Sequence, residues 1–212
     1  MARRYRSDVA PFAALAEETA ECYVALQRLL MTKDEVALLS REPLHPIDTL
    51  HATSIGPILQ MVAVRRAIEV DDEGIVRLDR GDVGDMIELA QRTKPGPFGK
   101  STIEMGSYIG VRDQGRLVAM AGERMQLDGY VEISAVCVDE AWRGRGLAAR
   151  LMNILRKAIE QRGDTPFLHV FHHNTAAIEL YERLGFVSNN SFLLSRLSVA
   201  RSEQEDPRQT AG

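Results

Sequence analysis

Apolar and polar residues alternate through three successive stretches, Tyr108–Arg112, Arg116–Leu127 and Tyr130–Val138. Such period-two alternation predicts strands. Asp113-Gln114-Gly115 and Asp128-Gly129 separate them. Asp-Gly is a strong two-residue hairpin signal, so the three are expected to form an antiparallel meander. In the third stretch Ile133, Ala135 and Cys137 are expected on one face, with Glu132, Ser134, Val136 and Val138 on the other. Past Arg143-Gly144-Arg145-Gly146 the apolar spacing changes to three and four. Leu147, Leu151, Ile154, Leu155, Ala158 and Ile159 then mark one face of a helix ending near Gly163. Phe167–Phe171 reads as a strand, and a helical crossover makes it parallel to its predecessor. Asn174–Leu184 predicts another helix, stopped by Gly185, and Phe192–Val199 a last strand. Upstream, Ile68–Leu78 is consistent with a strand or a hairpin. Asp82 can cap a helix running to about Arg92, with Val83, Met86, Ile87 and Ala90 inward.

The first 66 residues carry a different pattern. Phe12, Leu15, Thr19, Cys22, Leu26 and Leu29 recur at helical spacing. Thr32-Lys33-Asp34-Glu35 has the form of a capping box ahead of Val36, Leu38 and Leu39, which predicts a second short helix. Pro43 and Pro46 then interrupt the chain, and Ile58–Val64 fits helix or strand equally. Residues 1–66 are therefore expected to be a mainly helical extension, 67–200 the α+β domain proper, and 201–212 a disordered polar tail.

At 212 residues the chain can bury a sizeable core. Its formal charge of −4 gives no general case for nucleic-acid binding. No apolar run reaches the roughly 20 residues needed to span a bilayer. Glu17 and Glu18 interrupt any signal-like stretch behind the N-terminal arginines. With Cys22 and Cys137 the only cysteines, and Cys137 in an apolar strand, a cytoplasmic protein without disulfides is expected.

Chemistry concentrates in the turn from Arg143 to Ala148. Amides at a helix start are unpaired and carry partial positive charge, glycines let an anion come close, and two arginines add full charge. The turn therefore predicts a phosphate or pyrophosphate site. Gly144-Arg145-Gly146-Leu147-Ala148-Ala149 also fits G-x-G-x-x-A, the dinucleotide fingerprint. However, the acid Asp164 precedes the next strand instead of following it, and the upstream strands are hairpin-linked. Gly99-Lys100-Ser101 echoes the end of a Walker loop, but Lys94 stands where its first glycine belongs. Residues 93–102 are better read as a stiff loop bordering a substrate site.

Arg143-Gly144-Arg145-Gly146-Leu147-Ala148 matches the R/Q-x-x-G-x-G/A signature of the GNAT superfamily, the acyl-CoA-dependent N-acetyltransferases. Independently, Asn174, Ala177, Tyr181, Gly185 and Phe186 fit its later N-x-x-A-x-x-x-Y-x-x-x-G-F pattern. Over residues 67–199 the chain thus resembles that superfamily. It departs at Glu140, where many relatives carry proline. The resemblance implies a mixed, mostly antiparallel sheet splayed between its fourth and fifth strands and flanked by helices. Acetyl-CoA would lie in that opening, its pyrophosphate on the amides of Arg143–Ala148 and its pantetheine beside Val136, Cys137 and Val138 like an added strand. Asn174 and Ala177 would border the cosubstrate, and Tyr181 would donate to the departing thiolate.

An amine must be neutral to attack a thioester, and the developing charge needs stabilisation. Glu132 is the first candidate base and Glu123 the second. The two could approach across the Asp128-Gly129 hairpin and raise one another's pKa. A water chain could replace either. His169, His172 and His173 cluster near one strand end and read as substrate-side or packing histidines, while His45 and His51 read as surface or packing ones; neither group has metal-ligand spacing, so no metal is expected. Cys137 has no evident base, which favours direct transfer in a ternary complex over a covalent intermediate. The expected acceptor is an amine on a small molecule or a peptide. No membrane or nucleic-acid partner is implied, and a homodimer is compatible. The alternative is a non-catalytic acyl-CoA sensor acting through a protein partner.

Overall fold

A computed structural model describes residues 1–31 and 34–200. Ten strands and four α-helices follow one another along them. A small two-stranded ribbon joins β1 (Ala2–Arg4) to β2 (Ala13–Leu15). The remaining eight strands form one sheet: β3 (Glu35–Ser40), β4 (Leu50–Ala63), β5 (Ile75–Leu78), β6 (Tyr108–Asp113), β7 (Arg116–Leu127), β8 (Tyr130–Val138), β9 (Thr165–Phe171) and β10 (Phe186–Val199). Their order is β3-β10-β4-β9-β8-β7-β6-β5. Every neighbouring pair is antiparallel except β8 and β9, which are joined by the crossover helix α3 (Leu147–Gln161). This is the mixed, mostly antiparallel sheet expected from the sequence.

The mainly helical N-terminal extension is not what forms. Among the described residues there, only α1 (Ala20–Gln27), capped by the Thr19 hydroxyl, is helical. Glu35–Ser40 is the edge strand β3, pairing Val36 with Leu197 and Leu38 with Ser195. A short apolar run suits a buried strand as well as a helix, and pairing with β10 decides it. Half of the proposed capping box, Thr32 and Lys33, lies outside the described residues, as does the tail 201–212. β4 runs straight through Gly56-Pro57. The register against β10 shifts there, and the bulge leaves Ile55 without a partner. The sheet therefore extends across position 66 into the region expected to be a separate extension.

α3 and α4 (Thr175–Arg183) cover one face of the sheet and α2 (Val83–Thr93) the other. On the α3 side Leu151, Met152, Leu155 and Ile159 are buried against Ala119, Ala121, Val131, Ile133, Leu168 and Phe186. At about 1.5–3 kcal/mol per fully buried side chain, this stripe outweighs any helix propensity in fixing α3. On the other side Met86, Leu89 and Ala90 meet Tyr108, Leu117, Met120, Ala135 and Cys137. A third cluster joins Tyr23 and Leu26 of α1 to Val36, Leu38 and Leu197. No helix among the described residues is long and apolar enough to cross a membrane.

Two bulges re-aim side chains in the central hairpin. Met120 pairs with Cys137 but Gly122 with Ser134, so β8 carries an extra residue, and Ala135 takes the left-handed φ of 53°. Beyond this point the alternation inverts. Val136 and Val138 join Val131 and Ile133 on the α3 face, whereas Ala135 and Cys137 face α2. The expected grouping of Ile133 with Ala135 and Cys137 fails for that reason. A second shift, between Glu123–Ile133 and Gln126–Val131, sets Arg124 and Met125 opposite the single residue Glu132.

Candidate functional site

β8 and β9 pair only over Tyr130–Glu132 and Thr165–Phe167. β8 then follows β7 to Val138, while β9 follows β4, where Ile58 meets Phe171. The strands splay, and beyond Glu132 the β8 backbone has no ladder partner on its β9 side. Exposed strand backbone of this kind accepts an extended ligand by strand addition.

At the mouth of the splay the chain makes a short 3₁₀ turn over Glu140–Trp142, capped by the Asp139 carboxylate, and reaches the arginine–glycine loop. Gly146, at φ 74°, ends the loop and begins α3. No side chain caps α3, and no acidic residue stands in its first turn, so its leading amides remain available to an anion. Arg143 is exposed, and Arg145 lies 4.3 Å from the Trp142 ring centroid. Leu147 and Ala148 form the first helical residues behind them.

A cleft of about 250 Å³ occupies the splay and passes from the α3–α4 face to the opposite face. Ile133, Val136, Val170, Asn174, Ala177 and Tyr181 line the first half. Asn174 caps α4, its side-chain oxygen accepting from the Ala177 amide at 3.2 Å. Burial pushes the Tyr181 phenol up to about 12, keeping its proton in place through the neutral range. Cys137 contributes backbone to this strand, but its thiol sits on the α2 face, pushed up to about 11 by burial. A wider hollow of about 580 Å³ at the far end of α3, between Arg65 and Lys157, holds none of the candidate residues.

The far half of the cleft is floored by a buried ionic network. Glu132 is fully buried. Arg124 donates to it through two nitrogens, Nε to Oε2 at 2.8 Å and Nη2 to Oε1 at 2.6 Å. His169 Nδ1 lies 2.8 Å from Oε1. Burial alone would raise the Glu132 pKa, but the Arg124 charge and these hydrogen bonds prevail and hold it at about 2. An ionised carboxylate only accepts, so His169 Nδ1 carries the proton and donates it. Gln60 accepts from Asn190 through its carbonyl oxygen and turns its amide nitrogen toward His169 Nε2 at 3.4 Å. Both contacts fix one tautomer, with the lone pair on Nε2.

The structure separates the two candidate bases. Glu123 is buried beside Arg162, 2.8 Å away, while Glu132 belongs to Arg124. The bulge in β7 is the cause, since it swings Arg124 to the side of Glu132 where unbroken alternation would have placed Glu123. The Glu132 pKa moves down instead of up. The other histidines go elsewhere: His172 approaches Ser191 at 3.2 Å, and His173 stacks on Phe171. Sequence reasoning did not find Arg124 or Phe12 as members of this site, and it gave His169 only as a substrate-side or packing histidine, not as the partner of Glu132. Arg124 was the readable one, being a charge in an apolar strand within reach of Glu132 across the hairpin. Phe12 comes from more than a hundred residues upstream in sequence.

Comparison with known proteins agrees with this architecture. Residues 108–193 match the family model for FR47-like proteins. A crystal structure assigned to the GNAT family, from Novosphingobium aromaticivorans, is 39% identical. It superposes with a TM-score of 0.87 over 94% of this chain and 89% of that one. The chain belongs to the GNAT family. It is also 38% identical over 84 residues to the N-alpha-acetyltransferase RimI of Mycobacterium tuberculosis, covering 37% of this chain and 51% of that protein. Over 93 residues it is 29% identical to an uncharacterized N-acetyltransferase, YobR, of Bacillus subtilis, covering 42% of this chain and 37% of that protein. The chain thus spans between about a third and a half of the length of these two relatives.

Proposed function

We propose that this protein transfers the acetyl group of acetyl-CoA to a primary amine by direct attack within a ternary complex. The observation that carries it is the splay of β8 from β9: the cleft within it holds His169 and Tyr181, and the unpaired β8 edge beside it leads on to the uncapped start of α3. The uncapped amides of α3, with Arg143, Gly144, Arg145 and Gly146, fit a pyrophosphate. The unpaired edge of β8 from Val136 to Val138 fits a pantetheine arm, with Asn174 and Ala177 alongside. Acetyl-CoA supplies the activated thioester when bound.

The chain's own residues handle the protons. The amine displaces the Gln60 amide from His169 Nε2, whose lone pair takes the amine's proton, and Glu132 holds the imidazole in that tautomer and balances the charge that forms. Glu132 itself, bound by Arg124, is too weak a base for the task, and Glu123 belongs to Arg162. Tyr181 donates a hydrogen bond to the departing sulfur. A phenol near 12 is a weaker acid than a thiol near ~8.5, so it stabilises the thiolate without giving up its proton. Neither cysteine offers an activated nucleophile in the cleft, which favours direct transfer. The name of the M. tuberculosis relative adds an α-amine at a peptide terminus to the acceptors worth assaying.

The test is a thermal-shift comparison of acetyl-CoA, CoA, NAD and ATP, followed by an amine screen for thiol release. Ligand at ~100 times its dissociation constant adds ~2.7 kcal/mol, or several degrees. Stabilisation by the two CoA species alone is expected, and stabilisation by NAD alone would overturn the reading. Binding without turnover across diverse amines would instead favour an acyl-CoA sensor. Tyr181→Phe should lower turnover more than acetyl-CoA affinity, and His169→Gln should lower turnover by ~10²-fold or more with affinity retained.

A further inference from the structure

Among the described residues, no acidic side chain lines the cleft. Around its far half stand Phe12, Leu39, Ile58, Phe171 and Leu194. The charges that reach the lining are those of Arg124 and Lys94. Arg124 is already balanced by Glu132, and its guanidinium lies 4.7 Å from the Phe12 ring centroid. Lys94, at the C-terminal end of α2, brings a further positive charge. The lining as a whole is apolar and cationic, although the protein carries a net charge of −4.

Phe12 is held in this wall by its own segment. The Ser101 amide donates to the Asp8 carbonyl at 2.9 Å, the Thr102 hydroxyl to the Val9 carbonyl at 2.6 Å, and the Ser101 hydroxyl to the Asp8 carboxylate at 2.8 Å. Phe12 then bridges to Ala37 of β3. The N-terminal segment is thereby pinned to the loop after α2 on one side and to the sheet edge on the other.

Such a wall discriminates among amines. An apolar body gains by leaving water against Phe12, Leu39 and Leu194, whereas a second ammonium would lose its hydration with no carboxylate to receive it. The cleft volume falls below the ~300–1,000 Å³ of drug-sized sites and is shared with the thioester end, so the body must be compact. Resting on the acetyltransferase reading, we propose that the acceptor is a primary amine on a compact apolar body without a second cationic centre, and that Phe12 selects it.

The test uses the full chain with acetyl-CoA and measures thiol release from 2-phenylethylamine, a tripeptide beginning with Phe, and spermidine. Phenylethylamine or the peptide is expected to exceed spermidine in kcat/KM by about tenfold or more, the scale on which apolar pockets discriminate. Whichever of the two leads identifies a free amine or a peptide terminus as the source. Spermidine equal to or better than both overturns the proposal. So does silence with all three while acetyl-CoA still raises the melting temperature. If acetyl-CoA produces no shift, the acetyltransferase reading itself fails. Phe12→Ser should collapse the preference for apolar amines and Phe12→Leu should keep it, with melting temperature reporting on folding. An unchanged preference in Phe12→Ser removes Phe12 from the selecting role.

Discussion

In the proposed cosubstrate site, the groups that would face the pyrophosphate come from six consecutive residues, Arg143 to Ala148. On the opposite side, Phe12, Gln60, Lys94, Arg124, Glu132 and His169 come from six separate segments. The first wall is made of backbone: glycine conformations and helix amides that any sequence with this local pattern would present. The second is made of side chains brought together by strand order and by two bulges. A wall of the first kind binds what many proteins bind, whereas the second can differ between proteins with the same fold, and the proposed choice of acceptor rests on it.

The largest effect is expected where the second wall depends on charge. Arg124→Ala would leave Glu132 fully buried without its cation, at a cost of ~3–5 kcal/mol. For a chain of this size that is a fall of roughly 6–20 °C in melting temperature. The pH dependence follows from the same pair. Glu132 is held at about 2 in the folded protein, below an unfolded value of ~4.3, so it contributes stability that is complete above the unfolded pKa. That contribution is lost as pH falls from about 4.3 through 2, and Glu132→Gln should flatten the loss. Unchanged melting of Arg124→Ala at pH 7 would show that the pair does not anchor this wall.

The same contrast explains what could be read from the sequence. The meander, α3, the parallel return of β9 and α4 follow from periodicity and turn residues within a few positions of one another. β3 was misread because Val36, Leu38 and Leu39 fit either period, and the deciding partner, β10, is about 160 residues away. Faces within β8 were misread because nothing local marks Ala135 as a left-handed bulge residue. A one-residue slip moves every later side chain to the other face. Glu132 was found because a carboxylate in an apolar strand is conspicuous. Its role as partner of His169 was hidden, since the bulge in β7 determines which neighbour it meets.

Within the first wall, Gly146→Ala sharpens the comparison at an intermediate magnitude. Gly146 has φ 74°, and an added Cβ would meet nothing within 4 Å. The cost is therefore purely conformational, ~1–2 kcal/mol for a non-glycine residue in the left-handed region. Stability should fall by that amount, and the melting shift produced by acetyl-CoA should shrink because the α3 amides are re-aimed. A normal shift in a destabilised variant would mean that the glycine serves the turn and not the anion.

Asn174 carries the smallest expected effect and lies where the two walls meet. Its side chain caps α4 by accepting from the Ala177 amide, and it also lines the cleft. Asn174→Ala should cost ~1 kcal/mol through loss of the cap, about 2–4 °C in melting temperature. Asn174→Asp restores the accepting oxygen at the cap but replaces the amide nitrogen with a second oxygen, removing any donor to the cleft. If Asp recovers the melting temperature and also the stabilisation by acetyl-CoA, Asn174 acts through α4 alone. If Asp recovers the first and not the second, the amide nitrogen contacts the cosubstrate, and the α4 region contributes a second side-chain contact beside that of Tyr181.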